Sequence, residues 1–486
     1  MHLYCHGLGD CMLIELARPG GEPYRILLDC GIHTSALDGT GKIRRVVEDL
    51  ATLARPEGDP NRSPRLDAVV GTHEHWDHIS GFHQAEDLFR KFDVGEIWFA
   101  WTENPADPQG RLLDKYKDEA ADALTGAAFM LGAAGDGGAR ADLDALLGFV
   151  FGVKGERSRD AREKLRSLSS NVRHFEPGER VTLPGDLGRD YRIYVMAPPR
   201  DSKLLGLTDS LDDTYRFGAS GSTLAASLRN GLALNESRLS VHGDPLAPFD
   251  GSAGVPLSQV LANKVETGPG SRISREDVEF LSRHYAGPAP LLEEPGKDSP
   301  TEHQEWRRID KEWLGLASEL ALQLDSRTNN TSLVLAVEIV ATGKVLLFAA
   351  DAQVGNWKSW KDVQFAKDGN APAVTGAELM KRTVFYKVGH HGSRNATLAE
   401  GGLELMTDPD LIAFIPTDEV MAKKVRWSDI PATGLLTRLE AKTHGRIIQS
   451  DRDWLQKEGV EPLLASGGSL RSLEVKPGLR ITVEIG

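Results

Sequence analysis

Four side chains of metal-binding type lie within six residues of one another. The string His73-Glu-His75-Trp-Asp77-His78 supplies three imidazoles and one carboxylate. Neutral imidazoles and carboxylates suit Zn, Mn or Fe, and mixed nitrogen and oxygen ligands with open positions are typical of catalytic metal sites. A polar surface loop is the alternative interpretation, but so dense a run of histidine beside aspartate has little structural use. The string therefore predicts a catalytic metal site.

The chain around this string predicts how its side chains are aimed. The string follows 66–72, an apolar run too short for a helix that predicts a buried strand, and it precedes a helix expected to begin near Gly81. Asp351 and His390 also follow apolar runs of β type, and ligands at the ends of neighbouring strands can converge on one edge of a sandwich. A turn or helix-capping role is the alternative for Asp351. An ordinary loop is the alternative for His390 and for His391.

The pattern of apolar runs predicts the class of fold. Strands followed by helices in both halves of the chain predict an α+β protein in which two sheets lie between helices. The predicted strands are 12–16, 26–31, 66–72, 96–100, 192–197, 332–339, 344–351, 384–388, 411–416 and 446–449. The predicted helices are 43–53, 81–91, 306–324 and 431–442.

Length and texture predict one enlarged domain over 1–486, with two insertions. The segment 102–170 is rich in Ala, Leu, Asp and Arg and is expected to be a helical insertion. The segment 200–328 mixes Gly, Ser and Pro loops with helical patterns and is expected to be a second insertion, after which 329–486 forms the second half of the sandwich. Either insertion is a candidate surface for a protein partner or a homo-oligomer.

Charge and cysteine usage narrow the class of protein. Lys and Arg total 57 against 71 Asp and Glu, a net charge of -14, so the whole chain has no basic field that would attract polyanions. Bound divalent metals can still make a local site positive. The three cysteines, Cys5, Cys11 and Cys30, have no CxxC spacing and are expected to be small core residues.

The chain shows no membrane signal that can be read from the sequence. Residues 1–7 contain no basic segment followed by an apolar stretch, and no run of ~18 apolar residues occurs anywhere. We therefore expect a soluble cytoplasmic protein that does not interact with a membrane.

Several short motifs together resemble a known superfamily. They are Gly7-Leu-Gly-Asp10, Leu28-Asp29-Cys-Gly31, Thr72-His-Glu-His-Trp-Asp-His78, Asn330-Thr-Ser-Leu-Val-Leu, Leu347-Phe-Ala-Ala-Asp351 and Lys387-Val-Gly-His-His-Gly-Ser393. This set resembles the metallo-β-lactamase superfamily and, more narrowly, the soluble hydrolase domain of the ComEC-type DNA-uptake proteins. The matching blocks cover roughly 1–100 and 325–450. The HxHxDH motif is highly specific for the superfamily, and the HHGS motif is moderately specific for the branch.

The resemblance implies a four-layer αββα sandwich that binds two divalent ions, Zn or Mn, or one ion tightly. It implies metal ligands at His73, His75, Asp77, His78, Asp351 and His390, with His391 as the alternative to His390. In this scheme His73 and His75 hold the first ion, Asp77 and His78 hold the second, and Asp351 bridges both. Asp77, His78 and Asp351 are also the expected catalytic residues, and Asp29 would orient a ligating histidine.

The chain departs from the family pattern at three positions. Ala197 stands where the related branch tends to carry a histidine, which leaves the first ion's third ligand unassigned, and His174 is the nearest candidate. Asp429 or Ser428 stands where the branch often has another histidine. Ala350 replaces the usual glycine before Asp351, a change expected only to tighten the turn.

The leading functional hypothesis is a phosphodiesterase or nuclease that works through a metal-activated hydroxide. Its substrate would be nucleic acid or a small phosphodiester. The groups expected to contact phosphate are Lys387, Arg394, Asn395, Lys423, Lys424 and Arg426, and Ser393 is a possible additional site residue. One alternative is a hydrolase of a small ester, thioester, lactone or lactam, because one fold serves many chemistries. Another is a metal-stabilised, non-catalytic component of a multi-protein defence system.

Overall fold

The computed structural model is a mixed α/β protein. It describes residues 1–56, 61–133, 156–206, 273–285, 315–369, 371–424, 429–452 and 468–486, and the single positions 260, 262, 267 and 427. Ser428, Arg426 and most of the predicted segment 200–328 lie outside the described residues.

The described residues form seventeen strands. They are β1 (His2–Tyr4), β2 (Cys11–Arg18), β3 (Gly21–Cys30), β4 (Arg65–Val70), β5 (Asp93–Ala100), β6 (Val172–Phe175), β7 (Arg180–Val181), β8 (Tyr191–Ala197), β9 (Val334–Ile339), β10 (Lys344–Phe348), β11 (Gln364–Phe365), β12 (Val374–Thr375), β13 (Thr383–Lys387), β14 (Ile412–Ile415), β15 (Ile447–Gln449), β16 (Leu470–Lys476) and β17 (Arg480–Ile485).

The described residues also form thirteen α-helices. They are α1 (Gly39–Leu53), α2 (Trp76–Gln84), α3 (Glu86–Phe89), α4 (Pro108–Ala133), α5 (Glu156–Arg166), α6 (Leu187–Asp190), α7 (Ser202–Leu205), α8 (Arg275–Tyr285), α9 (Gly315–Asn330), α10 (Val354–Trp360), α11 (Gly376–Lys381), α12 (Glu419–Lys424) and α13 (Thr433–Thr443).

Two large sheets carry most of the strands. The first has the order β16-β17-β1-β2-β3-β4-β5-β6, and the second has the order β15-β14-β13-β10-β9-β8-β7. Strands β3 to β6 are parallel in the first sheet, and β10, β13, β14 and β15 are parallel in the second. Each sheet therefore has one parallel half whose strand ends point the same way, which is the edge where side chains from different loops can meet.

Alternation of side chains along these strands produces three layers of core. Leu28 and Val70 of the first sheet share a cluster with Leu335 and Phe348 of the second. The neighbouring residue Leu27 belongs to a different cluster, in which the first sheet packs on α1, α2 and α5. On the second sheet, the opposite face packs on α10, α11 and α13. Because successive strand residues point to opposite faces, parallel strands that are buried on both faces appear as continuous apolar runs.

This arrangement agrees with the predicted α+β class, in which two sheets lie between helices. The ten predicted strands each overlap an observed one, and the predicted helices 43–53 and 431–442 correspond to α1 and α13. The described part of 306–324 is helical but belongs to α9, which extends to Asn330. The described residues of 102–170 contain helices α4 and α5. A single helical turn at Trp101–Glu103 precedes them.

The sequence analysis missed the pairing of the first and last strands. Residues of β1 pair antiparallel with β17, with Leu3 opposite Ile481, and β16 completes that edge of the sheet. A three-residue strand has too little periodicity to be recognised, and its partner lies at the other end of the chain. No local pattern reports such a pairing.

The chain divides into two compact units. One comprises Met1–Lys115, Ala145–Thr214 and Gln323–Gly486 and holds both large sheets; the other comprises Tyr116–Asp144 and Tyr215–Leu322. The second unit is drawn from within the two predicted insertions. The prediction of a single domain with two insertions remains a prediction.

Two smaller expectations concern membranes and cysteines. Within the described part of the chain, no helix combines the length and apolarity needed to cross a bilayer. Cys11 and Cys30 are buried in the core as predicted, whereas Cys5 is only partly buried, and all three are free thiols.

A buried carboxylate on α1 ties the chain's first and last strands to the helix layer. Asp49 accepts hydrogen bonds from Tyr4 Oη at 2.9 Å, Lys476 Nζ at 2.5 Å and Arg480 Nε at 2.8 Å. Burial raises the pKa of Asp49, but the hydrogen bonds from Lys476 and Tyr4 and the charge of Arg480 outweigh it, so that its pKa is lowered. The carboxylate therefore stabilises the fold in its charged form.

The Asp49→Asn variant is expected to lower the free energy of unfolding by about 2–3 kcal/mol at neutral pH, because hydrogen bonds to a charged group contribute about 1.5–3 kcal/mol each. The lowered pKa sets the pH dependence: the stabilisation is complete above the unfolded value of about 3.9 and is lost as the pH falls through the folded pKa. Urea denaturation across pH 3–7 measures both effects. The exposed Asp87, paired with Arg44, is the control, and Asp87→Asn should change stability by less than about 1 kcal/mol. Equal losses in both variants would contradict the role given to Asp49.

Candidate metal centre

The residues predicted to bind metal, and Asp29, which is predicted to orient one of them, come from the carboxyl ends of parallel strands. Asp29 lies at the end of β3, and His73 and His75 lie in the loop after β4. Asp351 follows β10 by three residues, and His391 follows β13. Since β10 and β13 pair in parallel, as do β3 and β4, the loops that follow each pair leave from the same edge of their sheet.

Helix α2 begins at Trp76 rather than near Gly81, which corrects the predicted boundary. The carbonyl of His75 already accepts the amides of His78 and Ile79, at 3.1 and 3.2 Å. Asp77 and His78 therefore lie in the first helical turn and not in a loop. Gly81 serves a different purpose, because a Cβ there would lie 2.5 Å from the sulfur of Cys30.

Three backbone segments pack without space for side chains beneath this turn. The amide of Asp10 donates to the carbonyl of Asp77 at 3.0 Å, and the amide of Gly31 donates to the carbonyl of Asp10 at 3.0 Å. A Cβ on Gly31 would lie 2.2 Å from the carbonyl carbon of Asp77, and one on Gly9, whose φ is +149°, would lie 2.4 Å from the carbonyl oxygen of Gly31. Glycine is therefore required where these loops touch.

Four buried side chains converge above this packing. The ligand-type atoms of Asp77, His78, Asp351 and His391 all lie within 4.8 Å of one another, and the group can hold a metal ion. His78 Nε2 is 3.1 Å from Asp351 Oδ2, and His391 Nε2 is 2.9 Å from Asp77 Oδ2 and 3.8 Å from Asp351 Oδ2. All four side chains are inaccessible to solvent.

Second hydrogen bonds fix the orientation of the histidine rings. His78 Nδ1 donates to Asp29 Oδ2 at 2.8 Å, and His391 Nδ1 donates to the carbonyl of Pro416 at 2.7 Å. Each ring therefore turns its Nε2 towards the carboxylates of the group. This is the arrangement in which metal-binding histidines are held, with the other ring nitrogen tied to a carboxylate or a carbonyl. Asp29 takes the orienting position expected for it.

The electrostatics of the group follow from this geometry. An Nε2 that faces a carboxylate oxygen needs either a proton or a cation between the two atoms, because both are otherwise acceptors. Burial disfavours a charged ring, but the charge of Asp351 and its neighbouring carboxylates raises the pKa of His78 well above the usual value and raises the pKa of His391. The pKa of Asp351 is lowered well below its usual value despite burial, chiefly by the charges of His78 and Lys387.

Asp351 divides its two oxygens between the protein and the group. Oδ1 accepts the amide of His390 at 3.0 Å and lies 3.4 Å from Lys387 Nζ, whereas Oδ2 faces His78 and His391. The preceding Ala350 adopts a φ of +48°, a left-handed conformation that suits the glycine usual there. One oxygen is thus held by the scaffold while the other remains directed at the ring nitrogens.

Lys387 is not a surface group that could contact phosphate, contrary to the prediction. Its side chain is fully buried, forms an ion pair with Asp10 and donates to the carbonyl of Ala350 at 2.7 Å. The charges of Asp10 and Asp351 outweigh burial and raise its pKa. Lys387 is therefore an internal cation beneath the carboxylates. The sequence analysis named Asp10 only as part of a motif. It did not predict the ion pair with Lys387, because the two residues are far apart in the chain.

His73 and His75 form a second part of the site. Their rings are in contact, with centroids 4.7 Å apart, and the ring of His73 lies 4.2 Å from that of His78. Burial lowers the pKa of His73 well below its usual value, and it lowers the pKa of His75 to about 3 even though Asp77 opposes this shift. Both imidazoles are therefore neutral, which is the form that binds metal.

Asp325 of α9 is a buried carboxylate that the sequence analysis did not identify. Its Oδ1 lies 3.8 Å from His75 Nε2. Burial, together with the charges of Asp77 and Asp351, raises the pKa of Asp325 well above its usual value. A single aspartate inside a helical pattern has no motif, so its place beside His75 could not be read from the sequence.

The tandem histidines of the HHGS motif point to different neighbours. His391 belongs to the four-residue group, whereas the His390 ring lies beside Ser393 Oγ at 2.8 Å and Gln353 Nε2 at 3.3 Å. Both residues have a positive φ, 42° and 53°, and their ring centroids are 6.0 Å apart. The turn thus separates the two rings, and the structure brings together the histidine that the sequence analysis offered as the alternative.

The remaining candidates lie elsewhere. His174 stacks on Phe99 and lies 3.4 Å from Arg166, and burial together with that arginine lowers its pKa to about 4. Asp429 is exposed and accepts the amide of Thr433 at the start of α13.

Other predicted phosphate-contacting groups differ in exposure. Asn395 is partly buried and accepts a hydrogen bond from the Ser393 hydroxyl. Arg394, Lys423 and Lys424 are exposed, as a contact to a substrate would require.

Glu74, the residue between the two metal-type histidines, is held from the predicted helical insertion. Arg162 of α5 contacts Glu74 at 2.9 Å, Glu103 at 2.7 Å and Asp114 at 3.1 Å. These three carboxylates are close enough to hold a metal ion, but the Arg162 guanidinium already lies among them. The arginine therefore anchors the histidine loop to α5.

Comparison of this chain with protein-family models, with characterised proteins and with solved structures finds no match. A function for the centre must therefore follow from the chemistry of its own residues.

The Gly31→Ala variant is expected to lose about 3 kcal/mol or more of unfolding free energy, because the added methyl would meet the backbone of Asp77, which cannot move without displacing α2. Gly434→Ala is the control, since a Cβ there meets nothing within 4 Å, and its stability should change by no more than about 1 kcal/mol. Chemical denaturation of both variants measures the difference. Similar stability in the two variants would show that the loops are not packed as described.

Proposed function

We propose that the protein is a metal-dependent hydrolase of the metallo-β-lactamase superfamily, and specifically a phosphodiesterase or nuclease. The observation that carries this proposal is the orientation of His78 and His391, each with Nδ1 tied to a fixed acceptor and Nε2 turned towards Asp77 and Asp351. The matching motifs and the two sheets between helices support the superfamily assignment.

The donor set fits a divalent ion. Histidine nitrogens and carboxylate oxygens are ligands for Zn and Mn. The carboxylates of Asp77 and Asp351 are buried close to neutral His73 and His75, so a cation would offset negative charge that burial makes costly. His73 Nε2 and Asp77 Oδ1 are buried without a hydrogen-bond partner among the described residues. Such atoms are expected to be satisfied by something the polypeptide does not itself supply.

A pair of divalent ions in such a site activates water near neutral pH and stabilises both the attacking and the leaving oxygens of a displacement. The residues of this chain would then have separate tasks. His73, His75, Asp77, His78, Asp351 and His391 would hold the ions. Asp29 would orient His78, and Lys387 would keep Asp351 from turning away.

A cavity with charges of both signs is linked to the centre and could admit a substrate. The cavity has a volume of about 200 Å³, and His6, Lys42, Arg45 and Thr417 line it. Two of its lining residues are linked to residues of the centre. Thr417 follows Pro416, whose carbonyl accepts a hydrogen bond from His391. His6 donates to the carbonyl of Gly31 at 2.7 Å. Lys42 and Arg45 could contact a phosphate group, although Asp418 and Asp451 line the same cavity and balance their charge.

The purified protein is expected to contain up to two equivalents of Zn or Mn by elemental analysis. Because the metal binds the folded state, added metal at 100 times its Kd should raise the unfolding free energy by about 2.7 kcal/mol. The Asp77→Ala, His78→Ala double variant should lose both the metal and this increase. The exposed Asp87→Ala variant should keep both. A wild-type protein with no metal and no metal-dependent stabilisation would exclude a metalloenzyme.

Hydrolysis is tested with bis-p-nitrophenyl phosphate and with labelled single-stranded DNA, duplex DNA and RNA, each in the presence of Mn or Zn. Cleavage should depend on metal and fall to background in the Asp77→Ala, His78→Ala variant, while Asp87→Ala cleaves normally. Bound metal without phosphodiester cleavage would instead favour a hydrolase of small esters, thioesters, lactones or lactams. Metal-dependent stability without any hydrolysis would favour a non-catalytic role.

A further inference from the structure

The segment that follows α9 is anchored to the loop that carries the metal-type histidines. The amide of Leu333 donates to the carbonyl of Thr72, the residue before His73, at 2.9 Å. Asn356 binds the end of the same helix, with its amide donating to Asn330 Oδ1 at 3.0 Å and its side chain donating to the carbonyl of Ser332 at 3.0 Å. These bonds hold the helix end against the centre.

Asp325 lies near the carboxyl end of α9, and its carboxylate is directed at His75. Oδ2 accepts a weak hydrogen bond from Asn329 at 3.4 Å, whereas Oδ1 is buried without a hydrogen-bond partner and lies 3.8 Å from His75 Nε2. In the described part of the chain, no lysine or arginine forms an ion pair with this carboxylate. A buried carboxylate oxygen without a donor or a cation costs several kcal/mol.

The spacing of His75 Nε2 and Asp325 Oδ1 leaves room for an ion between the two atoms. Two atoms that each lie about 2.0–2.1 Å from a tetrahedral ion are roughly 3.3 Å apart. The separation of His75 Nε2 and Asp325 Oδ1 is 3.8 Å, which is longer than this value and longer than a hydrogen bond. His73 adds a third donor, because its ring contacts that of His75 and its Nε2 is buried without a hydrogen-bond partner.

The end of β8, where the sequence analysis looked for a third ligand, does not supply one. Ala197 ends β8 and is fully buried, and its methyl group has no atom that can bind metal. His174, the other candidate, is engaged with Phe99 and Arg166. A site that holds an ion through His73 and His75 therefore needs a ligand from another element.

We propose that Asp325 is a metal ligand, which completes with His73 and His75 the shell of one ion, while Asp77, His78, Asp351 and His391 serve the other. This inference rests on the proposed metal-dependent function. It gives α9 a direct part in the centre, and it replaces an imidazole by a carboxylate, so the ion would be held by two nitrogens and at least one oxygen. Such a set is known in catalytic zinc sites.

Metal binding by Asp325→Asn tests the proposal directly, with Ser326→Ala on the same helix as the control. Isothermal titration of the metal-free proteins with Zn should show one of two equivalents weakened more than about 100-fold in Asp325→Asn, beyond the range typical for residues that only support a ligand. Ser326→Ala should bind both equivalents like the wild type. Circular dichroism and urea denaturation of the metal-free proteins check that both variants are folded.

An Asp325→Cys variant supplies a readout that a purely structural role would not produce. Loaded with Co²⁺, it should acquire a sulfur-to-cobalt charge-transfer absorption in the near ultraviolet, because a thiolate would now bind the ion. Ser326→Cys should show no such band. This experiment also decides the matter if Asp325→Asn folds poorly.

The outcomes separate this inference from the proposed function. Two equivalents bound with unchanged affinity by Asp325→Asn, or no charge-transfer band in a folded, cobalt-loaded Asp325→Cys, would overturn the role of Asp325 and leave the metalloenzyme intact. A wild-type protein that binds no metal at all would overturn both.

Discussion

The structure depends on one constraint, the burial of several carboxylates in a small volume at one end of two sheets. The buried carboxylates are those of Asp10, Asp29, Asp77, Asp325 and Asp351. Charges removed from water cost several kcal/mol each unless they are paired. Lys387 and two histidines with raised pKa values offset part of this negative charge from within the polypeptide. Burial and the charges of Asp77 and Asp351 raise the pKa of Asp325, so the charged form of that carboxylate needs a further positive charge beside it.

The surrounding fold holds these groups in place by close backbone contact rather than by long side chains. The loops that carry Asp10, Gly31 and Asp77 are linked by direct amide-to-carbonyl bonds, and glycine lies where they touch. Such packing leaves little freedom for the carboxylates to separate and relieve their repulsion. The packing of the sheets and of the helices behind them therefore offsets the free energy of holding the charges together, as is usual where a protein maintains a strained site.

Helices and strands could be predicted where a local pattern, either an apolar run or a helical periodicity, is sufficient to identify them. β4 and β10 are buried on both faces, so their apolar runs were visible, and α1 was visible from its helical periodicity. The start of α2 was misplaced because His75, Trp76, Asp77 and His78 look like a loop, although the carbonyl of His75 already begins the helix. β1 was not predicted, because three residues are too few to show a strand periodicity. The pairing of β1 with β17 defines this strand instead.

The sequence by itself determined the local part of the centre. His73, His75, Asp77 and His78 are adjacent, so a strand end followed by a helical turn is enough to place them together. Tertiary structure alone decided the rest. His391 meets Asp77, 314 positions away, because two sheets bring their strand ends to one place. Asp325 lies beside His75 because the segment that follows α9 is hydrogen-bonded to Thr72, the residue before His73. Contacts between segments so distant in the chain leave no pattern in the order of residues.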